Sequence, residues 1–102
     1  MTKKKSTTDL IEIIHRRYFE GKPERLAELE EARESARIAR TIYKLRTKAR
    51  LSHRELAELV GTSTSVISRL EDADYEGHSL TMLRRIAKAL NRRLEVRFLP
   101  LT

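Results

Sequence analysis

Apolar residues recur along much of the chain at three- and four-residue intervals, the spacing of α-helices that bury one face. The clearest stretch is LSHRELAELVGTSTSVISRLE, from Leu51 to Glu71. Ser52 stands before an apolar-periodic run and Glu55 follows three residues later. This is the capping-box spacing, in which each side chain satisfies the other's backbone amide. Leu56, Leu59 and Val60 then make one expected buried stripe. Gly61 accepts a left-handed backbone at no steric cost, so it stops the helix and turns the chain. Thr62, Ser63, Thr64 and Ser65 offer hydroxyls as caps or contacts for the next helix. Val66, Ile67 and Leu70 supply that helix's apolar contacts, with Ile67 and Leu70 as the core pair.

The same reading applies on either side. Asp9 caps a helix through LIEIIHRRYFE, in which Leu10, Ile14 and Tyr18 share a face that Ile11, Ile13 and Phe19 widen. That face packs either on the protein's own core or in the groove of a partner. The break at Glu20-Gly21-Lys22-Pro23 before the main segment favours the partner. Pro23 suits a first helical position. PERLAELEEARESARIARTIYKLRTKAR then has acids at its start and bases at its end, matching the helix dipole. One long helix, or two meeting near Ser35, both satisfy it. Ile38, Ile42, Leu45 and Ala49 give its second half an apolar face, whereas Leu26, Leu29 and alanines leave the first half too little to pack alone. Beyond the loop Asp72–His78, Ser79 caps SLTMLRRIAKAL, with Leu80, Leu83, Ile86, Ala87 and Leu90 as its stripe and Asn91 as its end. RRLEVRFLP alternates, Leu94, Val96 and Phe98 one way and Glu95 and Arg97 the other, which is a strand signal that Pro100 stops. A lone strand needs a ladder partner, and the same strand of a second copy would provide one in a two-fold dimer.

Composition narrows the class. A chain of 102 residues with 39% hydrophobic and 36% charged side chains buries one modest core and leaves charge to spare. With no cysteine there are neither disulfides nor thiolate metal sites. No apolar run approaches a membrane span, and MTKKKSTTDLIEII lacks a signal-peptide core, so a soluble cytoplasmic protein is expected. The net charge of +7 is unevenly placed. Residues 1–34 hold eight basic and eight acidic side chains, whereas residues 35–102 hold fourteen basic against seven acidic. Arg37, Arg40, Lys44, Arg46, Lys48, Arg50 and Arg54 follow one another with no acid between them and lead into the Leu51–Glu71 stretch. A solvated helix face is the bland explanation; a surface turned toward phosphates is the one this position favours. Catalysis is not expected. His15, His53 and His78 lack metal-ligand spacing, and no cysteine nucleophile, glycine-rich phosphate loop or serine elbow is present.

Two short helices around a glycine turn form a helix-turn-helix. Leu45-Arg46, Leu51-Ser52, Glu55-Leu56-Ala57, Val60-Gly61-Thr62 and Ile67-Ser68-Arg69-Leu70-Glu71 together resemble the phage-repressor and Cro-like family, also called the xenobiotic-response-element family. Ser79-Leu80, Leu83, Ile86-Ala87 and Ala89-Leu90 extend the resemblance over roughly residues 35 to 92. The chain length and the tail Leu94-Glu95-Val96-Arg97-Phe98 look most like HigA-type antitoxins. The resemblance implies an all-α fold, a five-helix repressor-like domain with an N-terminal helical extension and a short C-terminal β-strand pairing across a dimer. It divides the chain into residues 1–34 for toxin binding, 35–91 for DNA binding and 92–102 for dimerisation.

It also implies roles. The second helix of the pair lies in the major groove and the first crosses the backbone. Thr64, Ser65 and Arg69 match the base-reading positions, Arg69 as the guanine-directed candidate, and Val66 is placed to touch a thymine methyl. Ser63 and Ser68, in the same stretch, are further expected DNA contacts. Ser52 and His53 match the phosphate-facing start of the first helix, and Lys48, Arg50 and Arg54 are general phosphate contacts. Arg46 and Glu71 match a partly buried ion pair. Leu10, Ile14, Tyr18, Phe19, Leu26 and Leu29 would cover a HigB- or RelE-like ribonuclease toxin, and Leu94, Val96 and Phe98 would form the dimer, or join a toxin complex. The expected partners are thus an operator in double-stranded DNA, a cognate toxin and a second copy, with no membrane, cofactor or metal. A free-standing dimeric repressor without a toxin is the alternative.

Overall fold

The computed structural model describes residues 24–100, with side chains from Ala27 onward. Four helices follow one another: α1 from Glu24 to Lys48, α2 from His53 to Val60, α3 from Thr64 to Leu70 and α4 from Leu80 to Ala89. The expected terminal helix, with Leu10, Ile14, Tyr18 and Phe19, lies outside the described residues, as does the side chain of Leu26. Of the two arrangements open for the segment after Pro23, the single helix is the one formed. The chain divides between Glu34 and Ser35, and the unit beginning at Ser35 holds the core.

That core is small and comes from all four helices. Ala39 and Ile42 of α1, Leu56, Ala57 and Val60 of α2, Ile67 and Leu70 of α3, and Ile86 of α4 are buried. Ile38, Leu51, Val66, Met82, Leu83 and Leu90 pack around them. Each fully buried leucine or isoleucine contributes about 1.5–3 kcal/mol relative to exposure, so Leu56 and Ile67, with no exposed surface at all, anchor the helix-turn-helix.

The ends of the helices are set by local chemistry. Ser52 Oγ accepts from the Glu55 amide at 3.0 Å and the Glu55 carboxylate accepts from the Ser52 amide at 2.8 Å. Hydrogen bonds to the carboxylate from the Ser52 amide, and secondarily from the Ser52 hydroxyl, hold the Glu55 carboxyl below its usual range. Ser63 and Ser79 cap α3 and α4 in the same way, accepting from the amides of Val66 and Met82. At the other ends three residues are left-handed: Arg50 (φ 61°), Gly61 (φ 82°) and Asn91 (φ 57°). After α1 and α4 the closure is of Schellman type. The Arg50 and Leu51 amides return to the carbonyls of Thr47 and Arg46, and those of Asn91 and Arg92 return to Lys88 and Ala87.

Several expectations are corrected. Leu59 is 59% exposed and Leu80 lies half in water. On α2 the buried face is centred on Leu56, Ala57 and Val60, and Leu59 projects about 100° from that centre at 100° per residue. On α4 the stripe runs through Met82, Leu83, Ile86, Ala89 and Leu90, with Leu80 about 120° away from Ile86. Ala49 follows the end of α1 and is exposed. The described residues hold four of the five expected helices. They hold no strand. Residues 92–100 run on without regular structure, because a strand exists only as part of a ladder and no described segment pairs with this one. The alternation survives in the side chains, where Glu95 accepts from Arg97 on one side.

Candidate nucleic-acid interface

A short helix can present side chains to a duplex only if something fixes its orientation. Two buried attachments do this for α3: its apolar face, through Ile67 and Leu70, and a polar network at its C-terminal end. Arg46, from α1, donates through Nε and Nη2 to the two carboxylate oxygens of Glu71, at 2.7 and 3.0 Å. Its Nη1 donates to the Leu51 carbonyl at 2.7 Å. Arg46 is the one buried charged residue among those described, 8% exposed, and the Glu71 hydrogen bonds raise its pKa above the usual arginine value. The Tyr43 ring lies 5.4 Å from the guanidinium carbon, adding a cation–π contact. His53 Nε2 donates to Glu71 Oε1 at 3.0 Å. The Glu71 carboxylate therefore gathers the end of α1, the start of α2 and the end of α3.

Two further attachments are not visible as motifs. His78 Nε2 lies 2.7 Å from the Leu70 carbonyl oxygen, an acceptor only, so the proton sits on Nε2 and the imidazole caps the last turn of α3. The Tyr75 ring stands edge-on to it at 5.1 Å. Arg85, on α4, donates through Nη2 to the carbonyls of Val60 and Gly61, at 2.8 and 2.9 Å. It closes the C-terminal end of α2 at the turn itself. Its only sequence signal is a basic residue on an amphipathic helix, which gives no hint of where the side chain goes.

With its inner face so held, α3 turns Thr64, Ser65, Ser68 and Arg69 to solvent, with Val66 half-buried at their edge. Ser63 Oγ is engaged as the cap and lies 3.1 Å from Ser65 Oγ. On α2, Ser52 is engaged in the capping box, His53 is drawn to Glu71, and Arg54 is exposed with Glu58 3.5 Å away. Lys48 and Arg50 are exposed at the end of α1, as are Arg37, Arg40 and Lys44 along it. The expected DNA-facing residues thus separate into a free row on α3, a basic row from α1 into α2, and three, Ser52, His53 and Ser63, whose polar atoms are already engaged in the fold. Of the dimer candidates, Leu94 is half-buried, Val96 is exposed and Phe98 is 98% exposed. Leu29, a toxin-binding candidate, is exposed on α1.

Among the described residues no three His, Cys, Asp or Glu side chains come together as metal ligands would. None of the described helices is long and apolar enough to cross a membrane.

A buried-ended helix pair with a hydroxyl- and arginine-bearing outer face defines a DNA-binding module, and the family comparison agrees. Residues 42–96 match the family described as Helix-turn-helix. The chain belongs to this family, in its Cro- and repressor-like class, and is a DNA-binding transcription regulator. No curated protein and no solved structure matches it.

Proposed function

We propose that this regulator is an antitoxin of the HigA type, one that represses its own operon and neutralises a HigB- or RelE-like ribonuclease toxin. The observation that carries the DNA half is the free row Thr64, Ser65, Ser68 and Arg69 on a helix locked at its C-terminal end by the Arg46–Glu71 pair. Arg69 reads a guanine edge through two parallel N–H donors, the hydroxyls read less selectively, and Val66 meets a thymine methyl. Lys48, Arg50 and Arg54 set the register on the phosphates, while Ser52 and His53, engaged within the fold, hold the start of α2 in place beside them. Two copies, paired through Leu94, Val96 and Phe98, face a palindromic operator with half-sites about one turn, ~34 Å, apart. The exposure of Val96 and Phe98 in an alternating segment supports that pairing.

The toxin half is supported by composition: an apolar face at Leu10, Ile14, Tyr18 and Phe19, continued by Leu26 and the exposed Leu29, in a segment whose charges cancel. An acidic stretch such as Glu24–Glu34 complements a basic ribonuclease surface. Co-expression with the product of the adjacent gene tests this. The antitoxin reading requires a stable complex that is lost when residues 1–34 are deleted while DNA binding persists. Absence of a complex, with operator binding intact, would leave a free-standing repressor instead.

A further inference from the structure

A second basic run lies downstream of the helix-turn-helix. Between Glu76 and Glu95 the chain carries Arg84, Arg85, Lys88, Arg92 and Arg93 and no carboxylate. Arg85 is committed to the carbonyls of Val60 and Gly61. The other four line a single open hollow of about 390 Å³ at the C-terminal end of α4. None of them forms an ion pair among the described residues.

The backbone builds this convergence. Left-handed Asn91 turns the chain, and the Arg92 amide donates to the Ala87 carbonyl at 2.7 Å. The closure brings Arg92 and Arg93 back beside the turns of α4 that carry Arg84 and Lys88. Ala87 and Leu94 add apolar lining, and Asn91 adds an amide. The negative end of a helix rewards a cation in its last turn, which accounts for Lys88. It does not account for Arg84, outside that turn, or for two arginines beyond the helix. Four like charges around one hollow repel one another, and a multivalent anion relieves that repulsion. Guanidinium forks match phosphate oxygens in pairs, and three of the four cations are arginines.

We propose that this hollow is a phosphate-binding site, separate in sequence from the recognition helix, that takes two adjacent phosphates. Those phosphates come either from a free diphosphate-bearing small molecule or from a nucleic-acid backbone. The test uses the full chain and two probes, pyrophosphate and a 30-base-pair duplex of arbitrary sequence. Titrating pyrophosphate into isotope-labelled protein should move the amide signals of Asn91 to Leu94. Affinity should fall at least about tenfold in Arg84→Gln/Arg92→Gln, and stay within about twofold in Lys5→Gln/Arg33→Gln, which removes the same charge elsewhere. A free ligand as the source leaves the duplex salt dependence unchanged in the first variant. A backbone source lowers the slope of log affinity against log salt by about 1–2. Lys88→Gln/Arg93→Gln repeats the measurement should the first variant melt early. Pyrophosphate binding that is absent, unaffected by both hollow variants, or weakened equally by the control variant in residues 1–34 overturns the proposal.

Discussion

The Arg46–Glu71 pair yields the sharpest quantitative prediction. Arg46→Ala removes two charge-assisted hydrogen bonds to Glu71 and one to the Leu51 carbonyl, all at 2.7–3.0 Å. It also leaves the Glu71 carboxylate, whose side chain is 5% exposed, with His53 as its remaining partner. Breaking a buried pair from one side costs about 3–5 kcal/mol, because the surviving charge stays buried. Small domains have total stabilities of roughly 5–15 kcal/mol, so this is a large share. With a urea dependence of about 1 kcal/mol per molar for so small a unit, the unfolding midpoint should fall by about 3–5 M. Glu71→Ala should cost a similar amount, since it strands the guanidinium. The double variant should cost less than the sum of the two by about 1.5–3 kcal/mol, because neither charge is then left alone. Urea unfolding followed by circular dichroism measures all four corners of the cycle. Additivity within about 0.5 kcal/mol would refute the claim that the two side chains act as one attachment.

Three further outcomes follow from the helix ends. Arg50→Gly should raise stability by about 0.5–1 kcal/mol in a thermal melt, since arginine holds a left-handed backbone there (φ 61°) that glycine adopts freely; a loss of stability would show that the arginine's own contacts outweigh that strain. Arg85→Ala should cost about 1–2 kcal/mol by leaving the Val60 and Gly61 carbonyls without their donor, and equilibrium unfolding that matches the wild type would count against the clamp. The capping box carries a pH signature. Because the Glu55 carboxyl is held below its usual range, its stabilising contribution is present above about pH 4.3 and is lost as the pH falls through the lowered folded value. Glu55→Gln should therefore flatten the fall in stability between about pH 5 and 3, and an unchanged acid limb would remove the box from the account.

Much of the fold was legible in the sequence because local chemistry determined it. Ser52 with Glu55, Gly61, Ser79 and Asn91 each act within a few residues of their own position, so spacing alone placed the ends of α2 and α4, whereas at the start of α3 it left four hydroxyls, Thr62 to Ser65, of which Ser63 is the cap. Ile67 and Leu70 were readable as core for the same reason. Periodicity misled at Leu59 and Leu80, since a short amphipathic helix leaves two candidate faces and only the neighbouring helices decide between them. Long-range polar attachments were of two kinds. Arg46 with Glu71 was reachable through the family resemblance. His78 on Leu70 and Arg85 on the α2–α3 turn were not, because each joins positions eight and about twenty-five residues apart through side-chain geometry that no local pattern encodes. The C-terminal alternation marks a segment able to pair, but a ladder belongs to two segments and a sequence shows only one.

The measurement that bears most directly on the central claim is a footprint of the protein on the DNA upstream of its own gene, run at two salt concentrations. Wild-type protein should protect two half-sites about one helical turn apart, with affinity falling steeply as salt rises. Ser65→Ala/Arg69→Ala should lose the protected pattern while melting within a few degrees of the wild type. Unchanged protection by that variant would contradict the assignment of α3's free row as the surface that reads DNA.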